Sequence, residues 1–172
     1  TPQSCTLVWT SITVDLATLP LMLDTFHPLL SAAHGVDLSN PATARATLTQ
    51  RLDPQSPAGR QVSDALKALL AAGTICERGA LPVRYGRVSK AVPETRDFSI
   101  DVVHMNGPGP HHVHPLGEAN WCIALEGDPR FDGQPEGWVV MPPGSGHIPT
   151  VTGGTMLIVY LLPQGQIQFT QR

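Results

Sequence analysis

The sequence predicts a mainly β protein, a small β-barrel or double-sheet jelly roll that follows a helical region. Three observations support this fold class. Apolar residues recur at helical spacing in the first part of the chain and alternate from about residue 74. At least six short β-branched or aromatic runs then follow without intervening helices. Most of the 17 prolines and 16 glycines lie after residue 79, between those runs. We therefore divide the chain into a helical region, 1–79, and a β-barrel, 80–172.

Three helices are predicted in the helical region. The first carries apolar residues at helical spacing and ends before Gly35, and Pro28 inside it predicts a kink or a break. The second begins at Asn40-Pro41 and the third at Ser56-Pro57, because a capping side chain followed by proline is typical of a helix N-terminus. The third helix has an apolar stripe formed by Val62, Leu66, Leu69 and Leu70. We expect all three helices to pack against the barrel or a partner chain and to have no catalytic role.

The predicted strands occupy six runs. These are LPVRYGRVSKAV, DFSIDVVHM, HHVHP, EANWCIAL, EGWVVM and GTMLIVYLLP. Turn-forming segments separate them, namely NGPGP, GDPRFDGQPEG, PPGSG and TGG. Six short strands in fewer than 100 residues suit a small barrel and exclude a large channel-forming one.

Composition narrows the classes of partner. The chain has 11 basic and 14 acidic residues and a formal net charge of −3, and its basic residues form no stripe. We therefore expect neither nucleic acid nor an anionic membrane as its main partner. No apolar stretch is long enough to cross a membrane, and the first residues lack the basic segment of a signal peptide. The three cysteines are widely spaced, which favours a reducing, cytoplasmic location.

Two separate runs of the sequence carry candidate metal ligands. His112 and His114 are two residues apart, so on a strand their side chains leave the same face, with Cα atoms roughly 6.6 Å apart. Glu118 follows after a Pro-Leu-Gly bend, and His147 lies just beyond the turn PPGSG. Three imidazoles and one carboxylate are able to hold Fe, Mn, Ni, Cu or Zn. The sequence therefore predicts a divalent transition-metal site formed by these four residues.

The same two runs resemble the motifs of the cupin superfamily. His112-Val113-His114, three residues and Glu118 are similar to the first cupin motif, and the segment 137–147, which ends at His147, is similar to the second. A narrower resemblance extends over most of the chain. The segments RYGRVSK, DFSIDVV, HPLGE, GDPRFDG and GWVVMPPGSGHIPTVTGG are similar to those of the 4-hydroxylaminobenzoate lyase family. This resemblance implies conversion of 4-hydroxylaminobenzoate, or a similar hydroxylamino-aromatic acid, to protocatechuate with release of ammonia, so we expect a small aromatic acid as the substrate.

Three residues are candidates for catalytic roles. Glu118 can act as a general acid or base if the metal does not hold it firmly. His104 is expected to lie on the same face of its strand as the apolar residues Phe98, Ile100 and Val102. It is therefore either an inward-facing group beside the site or a core histidine. A substrate carboxylate needs a cation, for which we rank Arg87 above Arg84 and Arg130 because its strand is predicted to be partly buried. Tyr160 is a candidate either for the pocket wall or for packing. Cys122 could be a soft metal ligand or part of the pocket wall, but packing is favoured because a buried free cysteine usually behaves as a small hydrophobic residue.

Two other functions remain open from the sequence. A cupin-type dioxygenase would use the same ligands with iron, and a small-ligand sensor would keep the barrel and bind without turnover. For any of these functions we expect a homodimer, since an exposed strand edge invites pairing with a second chain.

Overall fold

The computed structural model describes residues 18–170, with side chains from residue 22 onward, and the first 17 residues of the predicted helical region lie outside this range. Three helices come first: α1 (Thr18–Ala33), α2 (Pro41–Arg51) and α3 (Pro57–Ala71). The two predicted N-caps are confirmed. The side chain of Asn40 accepts the Thr43 N–H at 3.1 Å, and that of Ser56 accepts the Gly59 N–H at 3.1 Å. Between residues 18 and 170, no helix is both long and apolar enough to cross a membrane.

Of the kink or break predicted at Pro28, the break is wrong, because α1 continues through this residue. Proline removes one backbone donor, which leaves the carbonyl of Asp24 without its helical partner. Both residues lie on the exposed side of the helix, where water can bind that carbonyl. On the other side, Phe26, Leu29 and Leu30 are fully buried and hold the helix against the rest of the protein.

Nine strands in the described residues form two antiparallel sheets. The strands are β1 (Arg78–Ala80), β2 (Val83–Ser89), β3 (Phe98–Met105), β4 (His112–His114), β5 (Glu118–Phe131), β6 (Gly137–Met141), β7 (Ser145–His147), β8 (Val151–Pro163) and β9 (Gln168–Phe169). The large sheet has the order β1-β2-β3-β8-β5-β6, and the small sheet has the order β7-β4-β9. Every pairing among the described strands is antiparallel. The predicted fold class, a cupin-type jelly-roll barrel with N-terminal helices, is confirmed.

Two predicted turns lie inside long strands. β5 extends through the first part of GDPRFDGQPEG, and β8 includes the segment TGG. The register between β5 and β8 shifts between Gly127 and Arg130, so the ladder accommodates Pro129 at an irregularity where its missing N–H is not needed. At Gly154 the strands approach so closely that a Cβ atom would lie 1.9 Å from the carbonyl oxygen of Glu126. Glycine and proline here therefore permit close pairing and do not end the strands.

The two faces of the large sheet have different neighbours. One face packs against the helices, and Trp138 on this face donates its indole N–H to the carbonyl of Leu52 at 3.0 Å. Trp121 on the same face donates to the hydroxyl of Ser63 at 3.2 Å, and the two indole rings are 5.0 Å apart. Helices and strands contribute to one hydrophobic cluster. The other face lines the barrel interior with a second cluster, which includes Tyr160. The division into residues 1–79 and 80–172 stays a prediction that unfolding experiments can test.

Candidate metal centre

Strand pairing brings the two histidine runs together. β4 pairs with β7, and His112 lies directly opposite His147 in this ladder. The turn before β7 is fixed to β4, because the N–H of Gly144 donates to the carbonyl of His114 at 2.8 Å. Residues that are 35 positions apart in the chain thereby become cross-strand neighbours.

A tight turn returns Glu118 to the same place. The N–H of Gly117 donates to the carbonyl of His114 at 3.3 Å, and Gly117 has a positive φ of 86°. A Cβ at this position would lie 2.9 Å from the carbonyl oxygen of Met141, so glycine allows the close approach of the backbones. β5 begins at the next residue, and Glu118 is fully buried there.

The four predicted ligands converge. One candidate ligand atom from each of His112, His114, Glu118 and His147 lies within 4.8 Å of the others. The Nε2 atoms of His112 and His147 are 3.1 Å apart, and Nε2 of His114 is 3.4 Å from Oε2 of Glu118. Four donor atoms at such separations can share one cation.

Each histidine is oriented through its other ring nitrogen. Nδ1 of His112 contacts the carbonyl of Pro110 at 3.1 Å, and Nδ1 of His114 contacts the hydroxyl of Ser145 at 3.2 Å. Nδ1 of His147 pairs with the carboxylate of Asp132, whose second oxygen accepts the N–H of Thr150 at 2.8 Å. All three Nε2 atoms are therefore available to one centre, as in metal sites whose histidines are held by outer partners.

Sequence reasoning missed these orienting residues. Ser145 lies directly opposite His114 in the ladder, so pairing of the two histidine runs would have predicted its position. Asp132 lies in a loop after β5 and has a positive φ of 47°. No local pattern relates it to His147, since only the path of the loop brings the two side chains together.

The charge distribution within the cluster favours a cation. Glu118 is fully buried, and within the described part of the chain neither of its oxygens makes a hydrogen bond. Nε2 of His114 is buried and likewise has no hydrogen bond, because its contact with Glu118 lacks suitable geometry. Burial lowers the pKa of His112 to about 4, which keeps this imidazole in the neutral form that binds metals. A metal ion would compensate the buried carboxylate, so the four residues fit a metal site.

A cavity of about 660 Å³ opens beside His112. Its size is typical of a pocket for a small organic ligand. Apolar and aromatic side chains form most of its wall, and its polar members include Arg87, Asp101 and Tyr160. The guanidinium of Arg87 donates to both oxygens of Asp101, at 2.8 and 3.0 Å, and this pairing raises the pKa of Arg87. Burial, followed by the charge of Glu118, raises the pKa of Tyr160 well above its ordinary value.

Arg87 is the predicted cation that the structure brings to this cavity. Arg84 lies opposite His104 in the β2–β3 ladder and belongs to the other face of the sheet. Arg130 is exposed at the far end of β5, 3.9 Å from Asp128. Of the three arginines, Arg87 alone therefore lines the cavity beside the metal cluster.

His104 is not brought to the cluster. It shares its face of β3 with Ile100 and Val102, which belong to the cluster that packs against the helices, whereas Val103 and Met105 face the barrel interior. Burial and then the charge of Arg84 lower the pKa of His104. Of the two placements left open by the sequence, this one corresponds to a core histidine, and we do not assign His104 to the site.

Asn120 and Cys122 of β5 face the barrel interior, as expected for residues two and four positions after Glu118 on the same strand. Cys122 is buried in the interior cluster, and burial raises the pKa of its thiol well above the usual value, as expected for a packing residue. Asn120 is fully buried, and within the described residues neither atom of its carboxamide makes a hydrogen bond.

Comparison with known proteins identifies related sequences. The sequence model of the family described as PnbB, 4-hydroxylaminobenzoate lyase, matches residues 34–169. A 4-hydroxylaminobenzoate lyase of Pseudomonas putida is 32% identical over 102 residues, which cover 50% of this chain and 58% of the relative. One of the same name from Nocardioides sp. (strain LMS-CY) is 32% identical over 94 residues, which cover 50% of this chain and 56% of the relative. The chain thus matches a little over half the length of these relatives.

Solved structures include more distant neighbours. An RmlC-like cupin protein from Ralstonia eutropha JMP134 has 13% sequence identity and a TM-score of 0.38. The match covers 54% of this chain and 62% of the neighbour. At this distance the likeness carries no argument about activity, and the fold assignment rests on the strand order and pairing described above.

Proposed function

The chain belongs to the 4-hydroxylaminobenzoate lyase family, and from this membership we propose that it converts 4-hydroxylaminobenzoate, or a similar hydroxylamino-aromatic acid, to protocatechuate and ammonia at a metal centre in the barrel. The observation that carries the proposal is the convergence of His112, His114, Glu118 and His147 beside a cavity that also contains Arg87. A guanidinium suits the carboxylate of this substrate class, and a metal ion suits the oxygen of its hydroxylamino group.

The proposed reaction is balanced by one molecule of water. 4-Hydroxylaminobenzoate and water together contain the atoms of protocatechuate and ammonia. The N–O bond breaks, nitrogen leaves the ring as ammonia, and the ring carries two hydroxyl groups in the product. The electrons that the ring loses on hydroxylation are taken up by the cleavage of the N–O bond. An outside oxidant is therefore not needed.

The metal would be held by the three Nε2 atoms and by Glu118. Imidazole and carboxylate donors suit Fe, Mn, Zn or Ni. A divalent ion bound there supplies Lewis acidity toward an oxygen atom of the substrate or toward water. The orienting contacts of Pro110, Ser145 and Asp132 support this assignment, since they keep the histidine rings in the geometry that metal binding requires.

Arg87 is proposed to bind the substrate carboxylate. A guanidinium has five N–H donors, of which Asp101 takes two and leaves three for a ligand. Asp101 also fixes the orientation of the guanidinium, so less conformational freedom is lost on binding. The apolar wall of the cavity is suited to the aromatic ring, and Glu118 is proposed to move a proton if the metal does not hold it firmly.

Metal analysis combined with product analysis tests the proposal. Purified protein is assayed for bound metal, and then for ammonia, protocatechuate and oxygen uptake with 4-hydroxylaminobenzoate, before and after chelation. The lyase is expected to release ammonia and protocatechuate in equal amounts without oxygen uptake, and to lose activity on chelation. Oxygen consumption would indicate a dioxygenase instead, and tight binding without turnover would indicate a sensor.

A homodimer and a cytoplasmic location are also proposed. β1 is a short, exposed edge strand of the large sheet and offers unpaired backbone groups to a second chain. The buried thiols of Cys76 and Cys122 are free, which suits a reducing compartment. Light scattering at micromolar concentration tests the dimer, and a monomeric mass would contradict it.

A further inference from the structure

A row of polar residues crosses the inner face of the large sheet. Arg87 on β2 lies opposite Asp101 on β3, Asp101 lies opposite Tyr160 on β8, and Tyr160 lies opposite Asn120 on β5. An adjacent row on the same face is mostly apolar. It is formed by Tyr85, Val103, Ile158 and Cys122. At the level of the polar row, hydrogen-bonding groups therefore extend across four neighbouring strands.

The hydroxyl of Tyr160 has a weak hydrogen-bond partner on the cavity wall. Within the described part of the chain, its one hydrogen bond goes to the sulfur of Met105 at 3.6 Å. A thioether is a weak acceptor, so the phenolic O–H keeps most of its capacity to donate to a ligand. The ring centre of Tyr160 is 6.5 Å from that of the candidate ligand His112, and both residues line the cavity.

The cavity has an exposed end at Arg87 and a buried end at Tyr160. The side chain of Arg87 is 44% exposed, whereas Tyr160 is 6% exposed. A para-substituted benzoate whose carboxylate binds Arg87 therefore has its opposite substituent directed inward, toward Tyr160 and His112. In the proposed substrate, that substituent is the hydroxylamino group.

We propose that Tyr160 contacts the substrate and donates a hydrogen bond to the oxygen of its hydroxylamino group. The identity of this substrate rests on the proposed function. Arg87 offers donors only and suits the carboxylate, whereas a phenol beside the metal cluster suits an oxygen that accepts a hydrogen bond. Tyr160 thereby distinguishes a hydroxylamino compound from an aromatic acid that lacks this oxygen.

Asn120 provides an independent indication that a polar group enters here. Its carboxamide is fully buried opposite Tyr160, and both of its polar atoms lack partners among the described residues. Buried amides in folded proteins are nearly always hydrogen-bonded, so a ligand or a bound water is expected beside them. Asn120 thus continues the polar row beyond Tyr160, on the strand next to the one that lines the cavity.

A pair of inert ligands tests this inference. 4-(Hydroxymethyl)benzoate carries a hydroxyl at the position of the hydroxylamino oxygen, and 4-methylbenzoate lacks it. Calorimetry is expected to show that the wild-type protein binds the hydroxylated ligand about 3- to 10-fold more tightly, as for one net hydrogen bond. Tyr160→Phe should abolish this preference and leave the affinity for 4-methylbenzoate and the metal content unchanged.

Two control variants make the result specific. Tyr85→Phe removes the hydroxyl of the other tyrosine on the cavity wall and should keep the preference. Arg87→Gln should weaken the binding of both ligands by the same factor, because both carry the carboxylate. The inference is overturned if Tyr160→Phe keeps the preference, or if it weakens both ligands equally, as a purely structural role would.

The outcome is distinguishable from that of the proposed function. If the wild-type protein does not turn over 4-hydroxylaminobenzoate, the proposed function fails, whereas the ligand pair still reports on the contact made by Tyr160. If turnover occurs and Tyr160→Phe retains the ligand preference, only the role of Tyr160 is rejected.

Discussion

His112 and His147 lie directly opposite each other on β4 and β7, and their Nε2 atoms are 3.1 Å apart. Two protonated imidazoles would repel each other at this distance. The outer nitrogen of each ring is occupied, that of His112 by the carbonyl of Pro110 and that of His147 by the carboxylate of Asp132. The contacts of the outer nitrogens therefore direct both inner nitrogens at one position, where a cation can bind them.

Glu118→Gln separates metal ligation from proton transfer. If Glu118 is a ligand, loss of its charge should lower metal content as strongly as His112→Ala does. If it moves a proton, the variant should keep the metal and lose turnover. Metal analysis and ammonia release on the same samples provide the measurement, with His111→Ala as a control outside the cluster. Full metal content and full activity in Glu118→Gln would contradict both roles.

Asp132→Asn should weaken metal binding by about 10- to 100-fold. The carboxylate of Asp132 fixes the ring of His147 and also accepts the N–H of Thr150, so an amide at this position holds the imidazole less well. Competition with a chelator measures the affinity. Asp128→Asn is the matched control, since Asp128 is 91% exposed in the same region of the chain. Equal affinities in both variants would exclude an orienting role for Asp132.

The metal-free protein should lose stability as the pH falls from about 6.5 to about 4. The folded-state pKa of His112 is lowered to about 4 from an ordinary value of 6.5, chiefly by burial. The unfolded chain therefore binds the proton first, and the free energy of unfolding should fall by up to about 3 kcal/mol across this window and then level off. Urea denaturation at several pH values measures it. His112→Asn should show a shallower dependence than the wild-type protein or His111→Asn, and equal slopes would disprove the assignment.

Trp138→Phe should destabilise the whole described protein by about 2 kcal/mol. The change leaves the buried carbonyl of Leu52 without its donor and removes packing between helices and sheet. Trp121→Phe is the control, because its partner is the partly exposed hydroxyl of Ser63, which water can satisfy. Far-ultraviolet and near-ultraviolet circular dichroism should report one coincident transition. Separate melting of the helices would instead support independent parts on either side of residue 79.

The sequence could not decide between the two placements of His104, and the reason is physical. Alternation along β3 correctly groups His104 with Ile100 and Val102, and these two residues are buried. However, Val103 and Met105 on the other face are also buried, because helices cover one side of the sheet and the barrel interior lies on the other. A strand with two buried faces has no parity signal that identifies the face directed toward the site.

By itself, the sequence determined the fold class, the caps of α2 and α3, and the four candidate metal ligands. These features depend on local spacing: two histidines on one strand face, a capping side chain before proline, and runs of alternating residues between turns. The tertiary structure alone decided that Asp132 holds His147, that Arg87 and Tyr160 share one cavity, and that His104 faces the helices. These relationships depend on loop paths and on which layer covers each face of the sheet. Loop paths and layer contacts are both fixed by packing between segments that are distant in the chain. No single run of residues predicts such packing.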